Sequence, residues 1–267
     1  MAYSANMNEL LSKSYAEIVS ESKVDRNNGC TWYLPHHPVF NKNKPGEVRI
    51  IFDCAASYQG VSLNDKVLQG PDLTNKLVGV LLRFRQDRIA VMADIESMFH
   101  QVNVNVHHRD YLRFLWWPNG LLSDKPSVFR MNVHLFGGIW SPSCCNFVLK
   151  YTAKEHQSEY SDEVVKAVSD NIYVDDFLKS FATVNEATQL VQQVGSLLEN
   201  GGFRLTKWVS NSEEVISAIP PAERSDRGCC LCLPSGGTLE RALGVKWNTL
   251  TDTFSFSTID TNKPATR

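Results

Sequence analysis

Three aspartates carry the chemistry that this sequence could perform. Asp175 and Asp176 stand side by side in Asn171-Ile172-Tyr173-Val174-Asp175-Asp176-Phe177-Leu178, between two short apolar runs. Ile172, Tyr173 and Val174 favour strands, as do Phe177 and Leu178, whereas aspartates do not. A hairpin turning at the pair satisfies both tendencies, because its arms bury apolar side chains while its tip presents two charges. Carboxylates held this close repel, and one pKa rises unless a divalent cation neutralises them. The dipeptide by itself reads more simply as a solvated turn, where Asp is a favoured residue. Asp94 changes that reading. It ends Arg88-Ile89-Ala90-Val91-Met92-Ala93-Asp94-Ile95, an apolar run with the character of a buried strand. A strand-terminal aspartate facing a hairpin-tip pair is an arrangement that holds two magnesium ions for phosphoryl or nucleotidyl transfer.

On these residues the chain resembles reverse transcriptases. Tyr173-Val174-Asp175-Asp176 is similar to their signature, and the Asp94 run is similar to their upstream catalytic motif. The resemblance implies two Mg2+ ions, with Mn2+ as an alternative, held by Asp94, Asp175 and Asp176 with Ile95 beside them. It places Tyr173 and Val174 at the site, Val174 between primer end and catalytic aspartate. Arg49 lies four residues before Asp53, the family's spacing for an arginine that contacts the incoming triphosphate, and Lys42 or Lys44 fits its partner lysine. Ser62-Leu63-Asn64 resembles the Leu-Asn closure of that segment. Phe99, five residues past Asp94, corresponds to an aromatic that excludes a 2′-hydroxyl and so favours deoxynucleotides; without the resemblance it is a core aromatic. Lys207, otherwise a solvated strand residue, corresponds to a lysine that approaches the triphosphate and donates a proton to the leaving pyrophosphate.

Leu135-Phe136-Gly137-Gly138-Ile139-Trp140-Ser141-Pro142 resembles the loop and helix start that hold the templating base pair. Phe136 departs from the retroviral pattern, which has glutamine; Phe-Gly here resembles the Pao/BEL class of long-terminal-repeat retrotransposons. Losing that glutamine removes a contact to the nucleotide sugar and leaves the gate more dependent on Phe99. Arg241-Ala242-Leu243-Gly244-Val245-Lys246-Trp247 resembles the primer grip. The implied partners are an RNA or DNA template with its primer, and deoxynucleoside triphosphates.

The elements that must position these residues follow from pattern. Apolar residues at helical spacing predict helices over 7–22, Pro71 to Arg88 and Asn185 to Asn200, the last closed by Gly201-Gly202. Ser141-Pro142 begins another, cap then first-turn proline, and Ser161 to Ser169 a brief one. Val48 to Asp53 pairs with the extended Trp32–Phe40 segment as a hairpin. Tyr111–Trp117 and Ser127–Val133 alternate as strands; Arg113 and Arg130 there suit either a template backbone or exposed strand positions. His36 and His37 lack a nearby carboxylate or cysteine and read as structural. The strand–helix–strand pair–helix–strand order from Asp94 to Trp208 predicts an α+β fold with a ferredoxin-like antiparallel sheet, which the resemblance implies is the palm of a right-hand polymerase fingers–palm module, with the thumb largely absent. The expected divisions are an N-terminal helix and linker (1–29), fingers with palm entry (30–90), palm ending in the primer-grip hairpin (91–257, with a fingers portion near 107–135) and a tail (258–267).

Composition excludes more than it identifies. The chain has 267 residues, 43% apolar and 21% charged, which suits a globular protein of one or two domains. No run of eighteen apolar residues suggests a membrane span, and the start lacks a signal-peptide pattern. Seven cysteines, three of them in Cys229-Cys230-Leu231-Cys232, are an odd number that favours reduced thiols over a disulfide framework. An intracellular location, cytoplasmic particle or nucleus, is therefore expected. The net charge of −2 is not that of an obvious nucleic-acid binder, so phosphates must meet a local basic groove. Two other functions compete. One is a catalytically incomplete retroelement fragment, nucleic-acid-binding or a relic, against which the intact aspartates speak. The other is an RNA-templated RNA polymerase, disfavoured by Phe99.

Overall fold

The computed structural model describes residues 2–24, 29–40, 48–118, 123–225, 239–242 and 245–255. In chain order, α1 (Ala2–Ser12), β1 (Ala16–Ile18) and α2 (Glu21–Val24) precede a hairpin of β2 (His36–Phe40) and β3 (Val48–Phe52). Then come α3 (Leu77–Phe84), β4 (Ile89–Ile95), β5 (Arg113–Trp116), β6 (Ser127–Met131), α4 (Ser141–Glu155) and α5 (Asp162–Asp170). β7 (Ile172–Tyr173), β8 (Asp176–Phe181), α6 (Val184–Glu199), β9 (Leu205–Ser210) and α7 (Glu213–Ser217) follow, before β10 (Leu239–Ala242), β11 (Val245–Asn248) and β12 (Thr253–Ser255). The chain forms two compact units, Met1–Thr74 with Ser97–Val148, and Asn75–Glu96 with Leu149–Arg267.

The second unit is built on a four-stranded antiparallel sheet, order β7-β8-β4-β9. Its first strand, β4, lies between the third and the fourth, with the second, β7, at an edge, which is the ferredoxin-like arrangement. Ala90 to Ala93 are all buried, as a strand covered on both faces requires. Val80 and Phe84 of α3 pack on Ala90, Met92, Leu178 and Val209, joined by the fully buried Trp247. Each buried Val, Leu, Met or Phe among them contributes about 1.5–3 kcal/mol through burial. Trp247, in the run read as a primer grip, meets Phe84 edge-on with centroids 5.0 Å apart, so its ring belongs to this core; Leu243 and Gly244 lie outside the described residues. In α6 the buried row is Ala187, Leu190, Val191, Val194, Leu197 and Leu198, the face expected from spacing. Its cap is Thr183, whose hydroxyl accepts from Glu186 N at 3.3 Å.

Three helix expectations change in their bounds. Within the span predicted over 7–22, the helix that begins at Ala2 ends at Ser12 and the short α2 begins at Glu21; between them Ser14 takes a left-handed φ of 58° and Ala16–Ile18 pairs with β6. Strand pairing there overrides the local helical spacing. The helix predicted from Pro71 to Arg88 is confined to Leu77–Phe84. Asn75 Nδ2 donates to the carbonyls of Ser169 and Ile172 at 2.8 and 2.7 Å, and Asp72 Oδ1 accepts from Thr74 N, which holds this approach out of the helix. Ser161 caps α5 rather than belonging to it, accepting from Val164 N.

In the first unit, sheet β1-β6-β5 and the β2-β3 hairpin share a core that includes Leu34, Phe52, Phe114, Phe129, Met131 and Leu135. Arg113 and Arg130 are buried in it, not exposed. Arg113, 1% accessible, donates from Nε to Asp110 Oδ1 at 3.0 Å and from its two other nitrogens to the carbonyls of Val24 and Lys23. Arg130 bridges Asp110 at 3.0 Å and Glu17 at 2.6 Å. The neighbouring guanidiniums hold the Asp110 carboxyl below the usual carboxylate range against the opposing effect of burial. Both arginines therefore tie residues 17–24 to β5 and β6. His36 is structural as expected: its Nε2 pairs with Leu115 O at 2.9 Å and its Nδ1 with the Tyr3 hydroxyl.

Candidate active site

The β7–β8 hairpin closes tightly, because Tyr173 pairs with Asp176 and leaves only Val174 and Asp175 in the loop. Val174 has φ 54°, a strained conformation for a β-branched residue at a turn position that favours glycine. Asp176 begins β8 and is the direct cross-strand partner of Asp94. The Asp175 carbonyl accepts from Ile95 N at 2.7 Å, fixing the loop to the end of β4. The sheet therefore brings together Asp94, Ile95, Tyr173, Val174, Asp175 and Asp176, which the sequence scatters over two stretches. Like charges directly across an antiparallel pair destabilise it, and Asp176 registers this. Burial pushes the Asp176 pKa up to about 7, with the charges of Asp175 and Asp94 adding to the rise and Lys207 opposing it.

Lys207 reaches the site through a defect in the sheet. Met92 pairs with Val209 and Asp94 with Thr206, so Lys207 and Trp208 together oppose the single residue Ala93. This is a β-bulge, which re-aims a side chain. If the Asp94–Thr206 register simply continued, Lys207 would pair with Ala93 and share the face of Ile95, opposite to Asp94. Its φ of 54° carries the twist, a conformation that costs a non-glycine residue about 1–2 kcal/mol. Trp208 turns inward against Phe177 at 5.9 Å, and the Lys207 ammonium meets Asp94 Oδ2 at 2.6 Å. Lys207 therefore stands beside the aspartates, where the resemblance put it; the bulge that delivers it is not legible in the sequence.

The remaining candidates belong to the first unit. Arg49 is exposed on β3, opposite Val39. Asp53 caps its own turn, its Oδ1 accepting from Ala55 and Ala56 N at 2.9 and 3.0 Å. Lys42, Lys44 and the Cys229–Cys232 cluster lie outside the described residues. Phe99 is 6% exposed and meets Phe136 edge-on. Gly137 has φ 98°, and a Cβ there would stand 2.9 Å from the Phe52 carbonyl. The glycine thus admits the protein's own backbone at close range. Sequence reading missed Asn64 as a clamp: its Nδ2 donates to Gly137 O at 3.0 Å and its Oδ1 accepts from Ile139 N at 3.2 Å.

The donor set fits a hard divalent cation. Asp94, Asp175 and Asp176 offer only oxygens, and Asp176, raised to about 7 by burial and by the charges of Asp175 and Asp94, would ionise more readily beside a bound cation. Among the described residues no three metal-binding side chains converge as a ready cage. Mg2+ does not demand one, since it is commonly bound by one or two carboxylates plus substrate phosphates and water.

No protein-family model matches the chain, and no curated protein does. Solved structures do. The foamy viral protease–reverse transcriptase in complex with dsDNA aligns over 96% of this chain and 41% of that one, with TM-score 0.58 and 14% identity. The prototype foamy virus protease–reverse transcriptase CSH mutant aligns over 78% and 23%, with TM-score 0.55 and 16% identity. The complex with RNA/DNA hybrid aligns over 74% and 22%, with TM-score 0.51 and 17% identity. The chain thus spans under half the length of each of these solved chains. The fold is an α+β one similar to that of viral reverse transcriptases. No helix among the described residues is long and apolar enough to cross a membrane.

Proposed function

We propose that this chain is the fingers–palm module of an RNA-directed DNA polymerase, with the first unit as fingers and the second as palm. The observation that carries this reading is the cross-strand pairing of Asp94 with Asp176, beside Asp175, in a ferredoxin-like sheet. Its proposed partners are primer–template and deoxynucleoside triphosphates. The solved neighbours are complexes with dsDNA and with RNA/DNA hybrid, which supports that class of partner. Phe136-Gly137 supports the Pao/BEL assignment, and with it a retrotransposon polyprotein as the source.

Asp94, Asp175 and Asp176, with Ile95 adjacent, would hold two Mg2+ ions. Bound there, Mg2+ supplies charge neutralisation and lowers the pKa of a coordinated primer 3′-hydroxyl. The 3′-oxygen, its proton lost to water, forms a bond to the α-phosphorus as the bond from that phosphorus to the β-phosphate bridge breaks, releasing pyrophosphate. Lys207, already on Asp94, gives a proton to the departing pyrophosphate. Arg49, exposed on its strand, binds the triphosphate, with Lys42 as its partner. Phe99 excludes a 2′-hydroxyl, and Tyr173 and Val174 face the primer end.

Pyrophosphate release with dTTP on an oligo(dT)-primed poly(rA) template tests this. Release is expected with Mg2+ and not with chelator, and is expected to vanish in Asp175→Asn while the variant melts as the wild type does. Undiminished turnover by that variant would overturn the assignment.

A further inference from the structure

Phe136 is an exposed aromatic held with unusual firmness. Its side chain is 46% accessible, and such a ring ordinarily samples several rotamers. Here the backbone that carries it is fastened on both sides. Ser141 Oγ donates to Leu135 O at 2.8 Å, and Asn64 bonds both Gly137 O and Ile139 N. Gly137 seats against the Phe52 carbonyl where no side chain fits. The fastened loop lays the Phe136 ring edge-on to the buried Phe99 ring, centroids 4.5 Å apart and planes at 66°. His100 meets Phe136 from another side at 6.2 Å and 84°, and itself rests on Tyr15 at 5.0 Å. Burial drives the His100 pKa down to about 4, so this ring is neutral near pH 7 and its contact is aromatic packing, not ion pairing.

We propose that Phe136 is a specificity-determining residue that acts through Phe99. It fixes the orientation of the Phe99 ring, with Asn64 as the clip that holds Phe136 in place, and the pair discriminates the nucleotide sugar. This rests on the reading of Phe99 as the sugar gate. Two aromatic rings in edge-to-face contact restrict each other's rotation, and a ring freed of its neighbour yields to an added hydroxyl. A core-capping role for Phe136 would give stability alone. A gate-orienting role changes the preference between two substrates that differ by one oxygen.

The test is single-nucleotide addition with each deoxynucleotide and its ribonucleotide by the wild type, Phe99→Ala, Phe136→Ala, the double variant and Phe136→Tyr. The ribo-to-deoxy ratio of kcat/KM is the readout, because lost folding or overall activity scales both substrates together. Removal of the pair contact is expected to raise that ratio about three- to tenfold in Phe136→Ala, the worth of one aromatic pair. Phe136→Tyr should restore the wild-type ratio. The double variant should match Phe99→Ala, since a residue that acts through the gate has no effect once the gate is gone. A ratio unchanged in Phe136→Ala, or an effect that adds fully to that of Phe99→Ala, overturns the inference while leaving the polymerase standing. A wild-type chain that adds neither nucleotide overturns the function, and the inference with it.

Discussion

Asp176 should make the metal-free protein less stable than it would be without that carboxylate, in a pH-dependent way. Its pKa rises from the model-compound 3.8 to about 7 in the folded chain, so the folded state holds the proton more tightly than the unfolded one. The protonated form stabilises the fold fully below about 4, and this contribution is lost as the pH rises to 7. Each pKa unit corresponds to about 1.4 kcal/mol, so the penalty of ionising Asp176 approaches about 4 kcal/mol above pH 7. The part of Asp176 that stays solvent-accessible brings the expected value to roughly 1–4 kcal/mol. Asp176→Asn removes the charge and keeps the shape. Urea unfolding in chelator should find the variant more stable at pH 8 and within about 0.5 kcal/mol of the wild type near pH 4, the usual range for a substitution without a specific mechanism. Millimolar Mg2+ at pH 8 should narrow the gap by stabilising the wild type selectively. An Asn variant that is less stable at pH 8, or one offset equally at both pH values, would refute the reasoning.

Other consequences concern the frame around the site. Asp110→Asn leaves the buried Arg113 and the mostly buried Arg130 short of their shared carboxylate, and should cost about 3–5 kcal/mol in urea unfolding; a cost under 1 would mean the network is dispensable. His134 is buried, its Nδ1 has no partner, and burial lowers its pKa from 6.5 to about 4. A lowered histidine pKa means that stability falls as the pH drops from about 6.5 toward 4, and His134→Phe should flatten that loss in thermal melts at pH 7 and pH 5. Gly137→Ala should destabilise by roughly 1–3 kcal/mol, since it combines a forbidden φ with a contact on the Phe52 carbonyl; an unchanged melting temperature would contradict the described turn.

What the sequence disclosed was the gathering of the aspartates and the sheet order. Asp94 and the Asp175-Asp176 pair were legible because each closes an apolar run whose propensity is plain, and α6 because six apolar residues share one face. Arg113 and Arg130 were misread as surface candidates, although Asp110, three residues before Arg113, was a local hint of an ion pair. Their burial depends on β1, which pairs far along the chain and whose own residues look helical. Lys207 was found through resemblance, but the bulge that turns it onto Asp94 is a matter of register, and register is not written in strand propensity. The clamp of Asn64 on the Phe136 loop likewise joins residues distant in sequence by hydrogen bonds that no spacing announces.

The most direct measurement is template-directed choice. The purified chain is given a 5′-labelled primer on an RNA template, one deoxynucleoside triphosphate at a time, with Mg2+, across four templates that differ only in the next base. The account predicts extension by one residue with the complementary nucleotide, absent in Asp94→Asn and Asp175→Asn. Addition that ignores the template base, or that persists in either variant, would contradict it.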